Sequence, residues 1–161
     1  MKELSMEPET TPITAAGYQK IEQEIERLKS TKPTAIKRLA EAAALGDRSE
    51  NAEYSESKRA LGQLKGRIQF LTKQLQYSEV VTPRDDSKIE IGKTVTIQFL
   101  DDNEAETFEI VGKPEADVDA NKISLVSPIG SALLGANVGD TVTVTAPAFS
   151  YQVKITDVTL S

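Results

Sequence analysis

The 161-residue chain contains no cysteine, no histidine and no tryptophan. Disulfides, thiolate zinc sites, cysteine nucleophiles and histidine bases are therefore excluded. Aromatic residues make up only 5% of the chain, four Tyr and four Phe. No apolar run approaches the roughly 18 residues that a membrane span requires. The N-terminus carries no apolar signal core, so the expected location is the cytoplasm, with no membrane partner. Apolar residues amount to 39% and charged residues to 27%, ordinary values for a globular protein. The length leaves room for two small domains.

Charge is unevenly distributed. Residues 14–77 hold 12 Lys/Arg against 8 Asp/Glu, a net of +4, whereas residues 78–161 hold 6 against 14, a net of −8. The first 13 residues add −2, giving −6 for the whole chain. A basic segment joined to an acidic one suggests two surfaces for two kinds of partner.

The basic segment has helical periodicity. Apolar or small residues recur at Tyr18, Ile21, Ile25, Leu28, Ala35, Leu39 and Ala42, then at Tyr54, Leu61, Leu64, Ile68, Leu71 and Leu75. Steps of three and four give each segment one seam. Two such helices joined by a short connection bury their seams in an antiparallel hairpin. From Thr14, a plausible N-cap, to Asp47 the rod would measure about 45–50 Å at about 1.5 Å per residue. Pro33 predicts a kink or short break near Lys32. Gly62 and Gly66, one turn apart, mark either close approach of the two backbones or a tolerated weakness of about 1 kcal/mol each in the helix. Ser57 and Lys58 interrupt the second seam, and the Ala-rich run 40–44 makes the rod slender near its tip.

The expected organisation is a flexible tail over 1–13, a coiled-coil hairpin over 14–78 with its tip at 46–51, a linker over 79–88 and a globular domain over 89–161. In the last, the period changes to two. Strands are expected around Val95–Phe99, Thr107–Val111, Ile123–Val126, Val142–Val144 and Tyr151–Ile155. A short helix is expected over Ser131–Leu134, ended by Gly135. The fold class is therefore two-domain: an N-terminal antiparallel α-helical hairpin and a C-terminal α+β domain with an antiparallel sheet.

Between the helices lies Gly46-Asp47-Arg48-Ser49-Glu50-Asn51-Ala52-Glu53-Tyr54. Two readings compete for its carboxylates. In one, Gly46 closes the first helix, and Asp47 with Glu50 forms a capping box for the second. In the other, Asp47 and Glu50 at the end of a slender rod offer oxygen ligands to Mg²⁺ whose remaining ligands come from a partner. Arg48 beside them suits a phosphate or a partner carboxylate.

This nine-residue stretch between two coiled-coil segments resembles the tip motif of the bacterial Gre family of transcription elongation and transcript cleavage factors. The likeness continues through Gly17-Tyr18, Leu28 and Gly66-Arg67-Ile68. It extends to the run from Ile123 through Ser127-Pro128-Ile129-Gly130 to Gly135, and to Gly139-Asp140. It covers nearly all the chain after about Ile13. The resemblance implies an FKBP-like C-terminal domain that binds RNA polymerase at the rim of its secondary channel. The coiled coil would enter that channel. Asp47 and Glu50 would help hold an Mg²⁺ supplied with the polymerase complex, with no cofactor bound tightly by the factor itself. The polymerase, not the factor, would then cleave the 3′ end of backtracked nascent RNA. Partner contacts are expected at Arg48, Ser49, Asn51, Ser127, Pro128 and Ile129. Lys58, Arg59, Lys65 and Arg67 are candidates for RNA or the channel wall, in keeping with the rod's positive charge.

The chain departs from the family in its longer N-terminal tail. It also departs at Ala146-Pro147-Ala148-Phe149-Ser150-Tyr151, which lacks the glycine usual there. Two other functions compete with cleavage stimulation. One is a channel-binding regulator that inhibits or competes without cleaving. The other is a prolyl isomerase or chaperone, which would need a deep aromatic-lined pocket. Phe99, Phe108, Phe149 and Tyr151 are the only aromatic residues available for one, and the core is expected to consume them. The hairpin needs no second chain, so a monomer is expected.

Overall fold

The computed structural model describes residues 10–46 and 51–161. The chain divides into two compact units. One comprises the N-terminus up to Tyr18 together with Ser78–Ser161, and the other comprises Gln19–Tyr77.

The second unit is the helical hairpin. Helix α1 runs over Ala15–Ala43 and α2 over Ala52–Gln76. The seam of α1 falls at Tyr18, Ile21, Ile25, Leu28, Lys32, Ala35, Leu39 and Ala42, all buried or half-buried. In α2 it falls at Tyr54, Ser57, Leu61, Leu64, Ile68, Leu71 and Leu75. Both alternate steps of three and four without interruption, the repeat that keeps one stripe facing a partner helix. Ser57 does not break the seam: it is only 5% exposed, a small side chain where the helices come together.

Helix α1 is continuous through Pro33, so the short break near Lys32 does not occur. Proline removes one helical hydrogen bond, but Pro33 is exposed and water can satisfy the freed carbonyl. Gly62 and Gly66 do not mark close approach. Both are exposed, and a Cβ at either would meet nothing within 4 Å among the described residues.

The other unit holds a five-stranded sheet and a two-stranded one. Strands β1 (Thr11–Ile13) and β2 (Ser78–Val80) pair in parallel. The large sheet is built from β3 (Lys93–Phe99), β4 (Ala105–Val111), β5 (Lys122–Ser124), β6 (Thr141–Thr145) and β7 (Ser150–Leu160), in the order β5-β4-β3-β7-β6. All its pairings are antiparallel except β4 with β5, which is parallel and departs from the purely antiparallel expectation. The connection from β4 to β5 passes through two 3₁₀ turns, Lys113–Glu115 and Val118–Ala120. That detour lets β5 return in the direction of β4. Helix α3 spans Pro128–Leu133, beginning three residues earlier than the expected helix. Alternation on the strands sends Val95, Ile97, Phe108, Ile110, Val144, Val153 and Ile155 inward, where Ile89 and Leu133 join them.

The sequence boundaries shift in two places. Residues 11–13 belong to β1 instead of a free tail, because Ile13 is fully buried and its carbonyl accepts the Val81 amide at 2.9 Å. The expected linker begins as β2, and its later part is tied to the sheet by Lys93. Residue 93 shares the inward phase of Val95 and Ile97, so its stem is fully buried. Its ammonium donates to Asp86 Oδ1 at 2.6 Å, to the Asp86 carbonyl at 3.0 Å and to the Lys88 carbonyl at 2.6 Å.

Candidate functional site at the hairpin tip

Helix α1 unwinds after Ala43. The Ala44 amide still reaches the Ala40 carbonyl at 3.1 Å, and the Leu45 amide reaches Ala42 at 3.2 Å. Gly46 follows with φ +106°, in the left-handed region open to glycine at little cost. This agrees with Gly46 as a helix-ending residue.

On the far side of the tip, Asn51 is the N-cap of α2. Its backbone is extended, and its Oδ1 accepts the Tyr54 amide at 3.1 Å. Its Nδ2 donates across the hairpin to the Ala42 carbonyl at 2.8 Å. One side chain thus caps one helix and satisfies a carbonyl at the end of the other. Ala42 itself is only 3% exposed, so that carbonyl lies on the seam.

This assigns the cap differently from the capping-box expectation. Asp47, Arg48, Ser49 and Glu50 lie outside the described residues. The α2 cap is supplied by Asn51, four residues after Asp47, so α2 does not require Asp47 and Glu50 as its capping box. Asn51, expected as a partner contact, has its amide committed within the hairpin.

The four RNA-contact candidates are all exposed on α2. At about 100° per residue they do not share a face. Lys58 and Lys65 flank one side of the seam, Arg67 flanks the other, and Arg59 points away from it. The Arg67 guanidinium sits 5.4 Å from the centroid of the Phe70 ring, itself 55% exposed. Glu24 on α1 is held below the usual carboxylate range, first by its hydrogen bonds from Arg27, at 2.6 and 2.9 Å, and less by the charge of Arg67.

Ser127, Pro128 and Ile129 begin α3. The Ser127 hydroxyl accepts the Gly130 amide at 3.1 Å and donates to the Ser124 carbonyl at 2.7 Å. Pro128, the first helical residue, is exposed, while Ile129 packs against the core. Val126 beside them is 60% exposed, so this corner presents apolar surface.

The aromatic residues divide. Phe108 is in the core, Phe99 and Tyr151 pack against it, and Phe149 is 64% exposed, so the core does not consume all four. Burial raises the Tyr151 phenol above its ordinary pKa, with a smaller contribution from the charge of Glu106. A groove of 460 Å³ in the same unit is lined by Pro12, Val81, Ile89, Ile91, Leu125 and Leu134 among others, with no aromatic side chain. It lacks the walls that a prolyl-isomerase pocket needs. Among the described residues no group of three or more Asp, Glu, His or Cys gathers in a metal-holding arrangement. No helix among them is long and apolar enough to cross a membrane.

Comparison with known proteins agrees with this architecture. Residues 11–80 match the model of the N-terminal domain of the GreA/GreB transcription elongation factors, and residues 84–160 match that of their C-terminal domain. The chain is 57% identical over 150 residues to transcription elongation factor GreA 1 of Lactiplantibacillus plantarum, covering 93% of this chain and 96% of that protein. It is 42% identical to GreA of Thermodesulfovibrio yellowstonii over 147 residues, covering 89% and 93%. The solved structure of GreA factor homolog 1 from Thermus thermophilus aligns over 94% of this chain and 99% of that one, with 26% identity and a TM-score of 0.44. The chain belongs to the GreA/GreB family of transcription elongation factors.

Proposed function

We propose that this elongation factor binds bacterial RNA polymerase, inserts its helical hairpin into the secondary channel and stimulates cleavage of backtracked RNA by the polymerase itself. The observation that carries the reading is Asn51. It caps α2 and ties the tip to Ala42, which removes the need for Asp47 and Glu50 as α2 caps. The two carboxylates are hard oxygen donors, the type Mg²⁺ takes, and too few to hold it without a partner's ligands. In the complex Asp47 and Glu50 would hold such an ion jointly with the polymerase and orient the attacking water. The ion, when bound, neutralises charge that develops at the phosphate.

Hydrolysis adds water across one phosphodiester. The P–O3′ bond breaks, and the 3′-terminal fragment leaves with the new 5′-phosphate. The polymerase supplies the remaining machinery, so the factor is an activator and not an enzyme. The exposed apolar corner at Val126 and Pro128 is the proposed rim contact. Lys58 and Lys65 on one flank of α2, with Arg67 on the other, are proposed to meet RNA or the channel wall. The factor acts as a monomer in the cytoplasm.

The test is RNA release from a stalled, backtracked elongation complex. Wild-type factor is expected to accelerate cleavage. Asp47→Asn and Glu50→Gln are expected to lose at least about 10–100-fold, the range for removing even an outer-shell partner of a metal ligand. Full activity in both variants, with polymerase binding retained, would refute the assignment. Binding without cleavage by the wild type would instead identify an inhibitory or competing regulator.

A further inference from the structure

One end of the large sheet carries a surface that the function proposed above does not use. Strands β3 and β4 meet there in a tight turn. The Phe99 amide donates to the Glu104 carbonyl at 2.8 Å, and the Asn103 amide to the Phe99 carbonyl at 2.9 Å. The hairpin of β6 and β7 closes at the same end, where the Ala146 amide reaches the Phe149 carbonyl at 3.0 Å. Pro147 in that turn narrows the backbone conformations open to it. The Leu100 amide links the two hairpins by donating to the Gln152 carbonyl at 3.2 Å.

Alternation decides what this end presents. Phe99 shares the inward phase of Val95 and Ile97, and Tyr151 shares that of Val153. Glu106 lies opposite Ile97, and Glu104 lies opposite Phe99, so both carboxylates stand on the same face as these rings. The Tyr151 ring lies 5.7 Å from Phe99 and 5.6 Å from Phe149, centroid to centroid. Phe99 and Tyr151 pack against the core, whereas Phe149 is largely exposed. Three rings therefore run in a preformed row from the core out to solvent. Two of them belong to residues 146–151, where the chain departs from its family.

The charges around the row are all of one sign. Asp101, Asp102, Glu104 and Glu106 are exposed, and none forms an ion pair among the described residues. The neighbouring strands offer no counter-ion: no Lys or Arg stands between Lys93 and Lys113, or between Lys122 and Lys154. Lys154 alternates with the buried Val153 and Ile155, which puts it on the other face of the sheet. Exposed rings beside unpaired carboxylates suit a cation on an apolar stem. RNA has the wrong sign, because residues 78–161 carry a net charge of −8. The same surface on a second copy would oppose like charges.

We propose that Phe99, Tyr151 and Phe149, with Glu104 and Glu106 beside them, form a docking surface for an extended basic segment of a partner protein. Its arginine or lysine side chains lie over the rings and meet the carboxylates. Alternate side chains of an extended segment stand about 6.7 Å apart, close to the ring spacing, so successive cations can each meet a ring. The proposal does not rest on transcript cleavage and is tested without polymerase.

The probe is a fluorescein-labelled peptide with arginine and serine at alternate positions, added to the full chain. Amide shifts in nitrogen-15 NMR spectra are expected to concentrate at residues 99–106 and 146–152. Phe149→Ala and Phe149→Leu are each expected to weaken binding about two- to fivefold, the size of one exposed cation–ring contact. Glu104→Gln with Glu106→Gln is expected to weaken it as well. Asp119→Asn, an exposed carboxylate beyond the other end of β4, should leave it unchanged. A peptide with glutamine in place of arginine should not bind.

Shifts centred elsewhere would overturn the proposal, as would an equal loss in Asp119→Asn, which would show only unspecific charge attraction. Full binding by Phe149→Leu would also overturn it, because leucine keeps apolar bulk without a ring face. So would a single-stranded RNA that moves the same amides. Self-association of the wild type that is lost in Phe149→Ala, seen by sedimentation, would assign the surface to a second copy instead.

Discussion

Asn51 shows how much a single side chain can settle. Asn51→Ala removes both the α2 cap and the bond to Ala42, and is expected to destabilise the protein by about 1–2 kcal/mol. Asn51→Asp keeps an oxygen for the Tyr54 amide but cannot donate to Ala42, so it should cost less, about 1 kcal/mol. Urea midpoints of the two variants measure the split; equal losses would mean that the cap on the Tyr54 amide contributes nothing, and no loss in Asn51→Asp would mean that the Ala42 bond contributes nothing. The cap was only half legible in the sequence. Gly46 was readable as a helix end, whereas Asp47-x-x-Glu50 fits the capping-box pattern as well as any real cap. The Asn51–Ala42 bond joins residues brought together only when the hairpin closes. Lys93 was not legible at all. Lys93 reads as a polar start to a strand, and its acceptors at Asp86 and Lys88 come from a segment that reads as linker.

Lys93 also gives a pH prediction. Its hydrogen bond, followed by one from the Lys88 amide, holds the Asp86 carboxyl below its usual range. A group whose pKa is lowered on folding contributes stability above its unfolded value, about 3.9, and that stability is lost as pH falls through the folded value. Stability should therefore fall below about pH 4, and less so in Asp86→Asn, as measured by urea midpoints across pH 2–7. Identical pH profiles for the two proteins would contradict the assignment. Lys93→Met should cost about 2 kcal/mol, because two backbone carbonyls lose their donor.

At the level of elements, the seams were legible and the exceptions were not. The three-and-four repeat predicted both helices and their buried faces, and the strands followed from alternation. What periodicity cannot report is what lies beside an exposed residue. Gly62 and Gly66 looked like contact points but face open space. Each substitution by alanine is therefore expected to stabilise the protein by about 1 kcal/mol through helix propensity alone. A rise in the thermal midpoint for both checks this, and destabilisation would show a neighbour at those positions. The parallel β1–β2 pair was missed because three-residue strands carry almost no pattern. The β4–β5 pairing was missed because alternation does not encode direction.

Across the whole molecule, charge is divided between a basic helical segment and an acidic sheet-bearing one. The family was legible in the tip sequence. That Asn51 caps α2 was not. The central claim is that Asp47 and Glu50 help hold Mg²⁺ in the polymerase complex, and the Mg²⁺ dependence of cleavage tests it most directly. Rates of RNA cleavage in a backtracked complex would be measured against Mg²⁺ concentration with wild type, Asp47→Asn and Glu50→Gln. The account predicts that wild-type factor lowers the half-activating Mg²⁺ concentration and that each variant shifts it back toward the value without factor. Mg²⁺ curves that superimpose for all three proteins would contradict it.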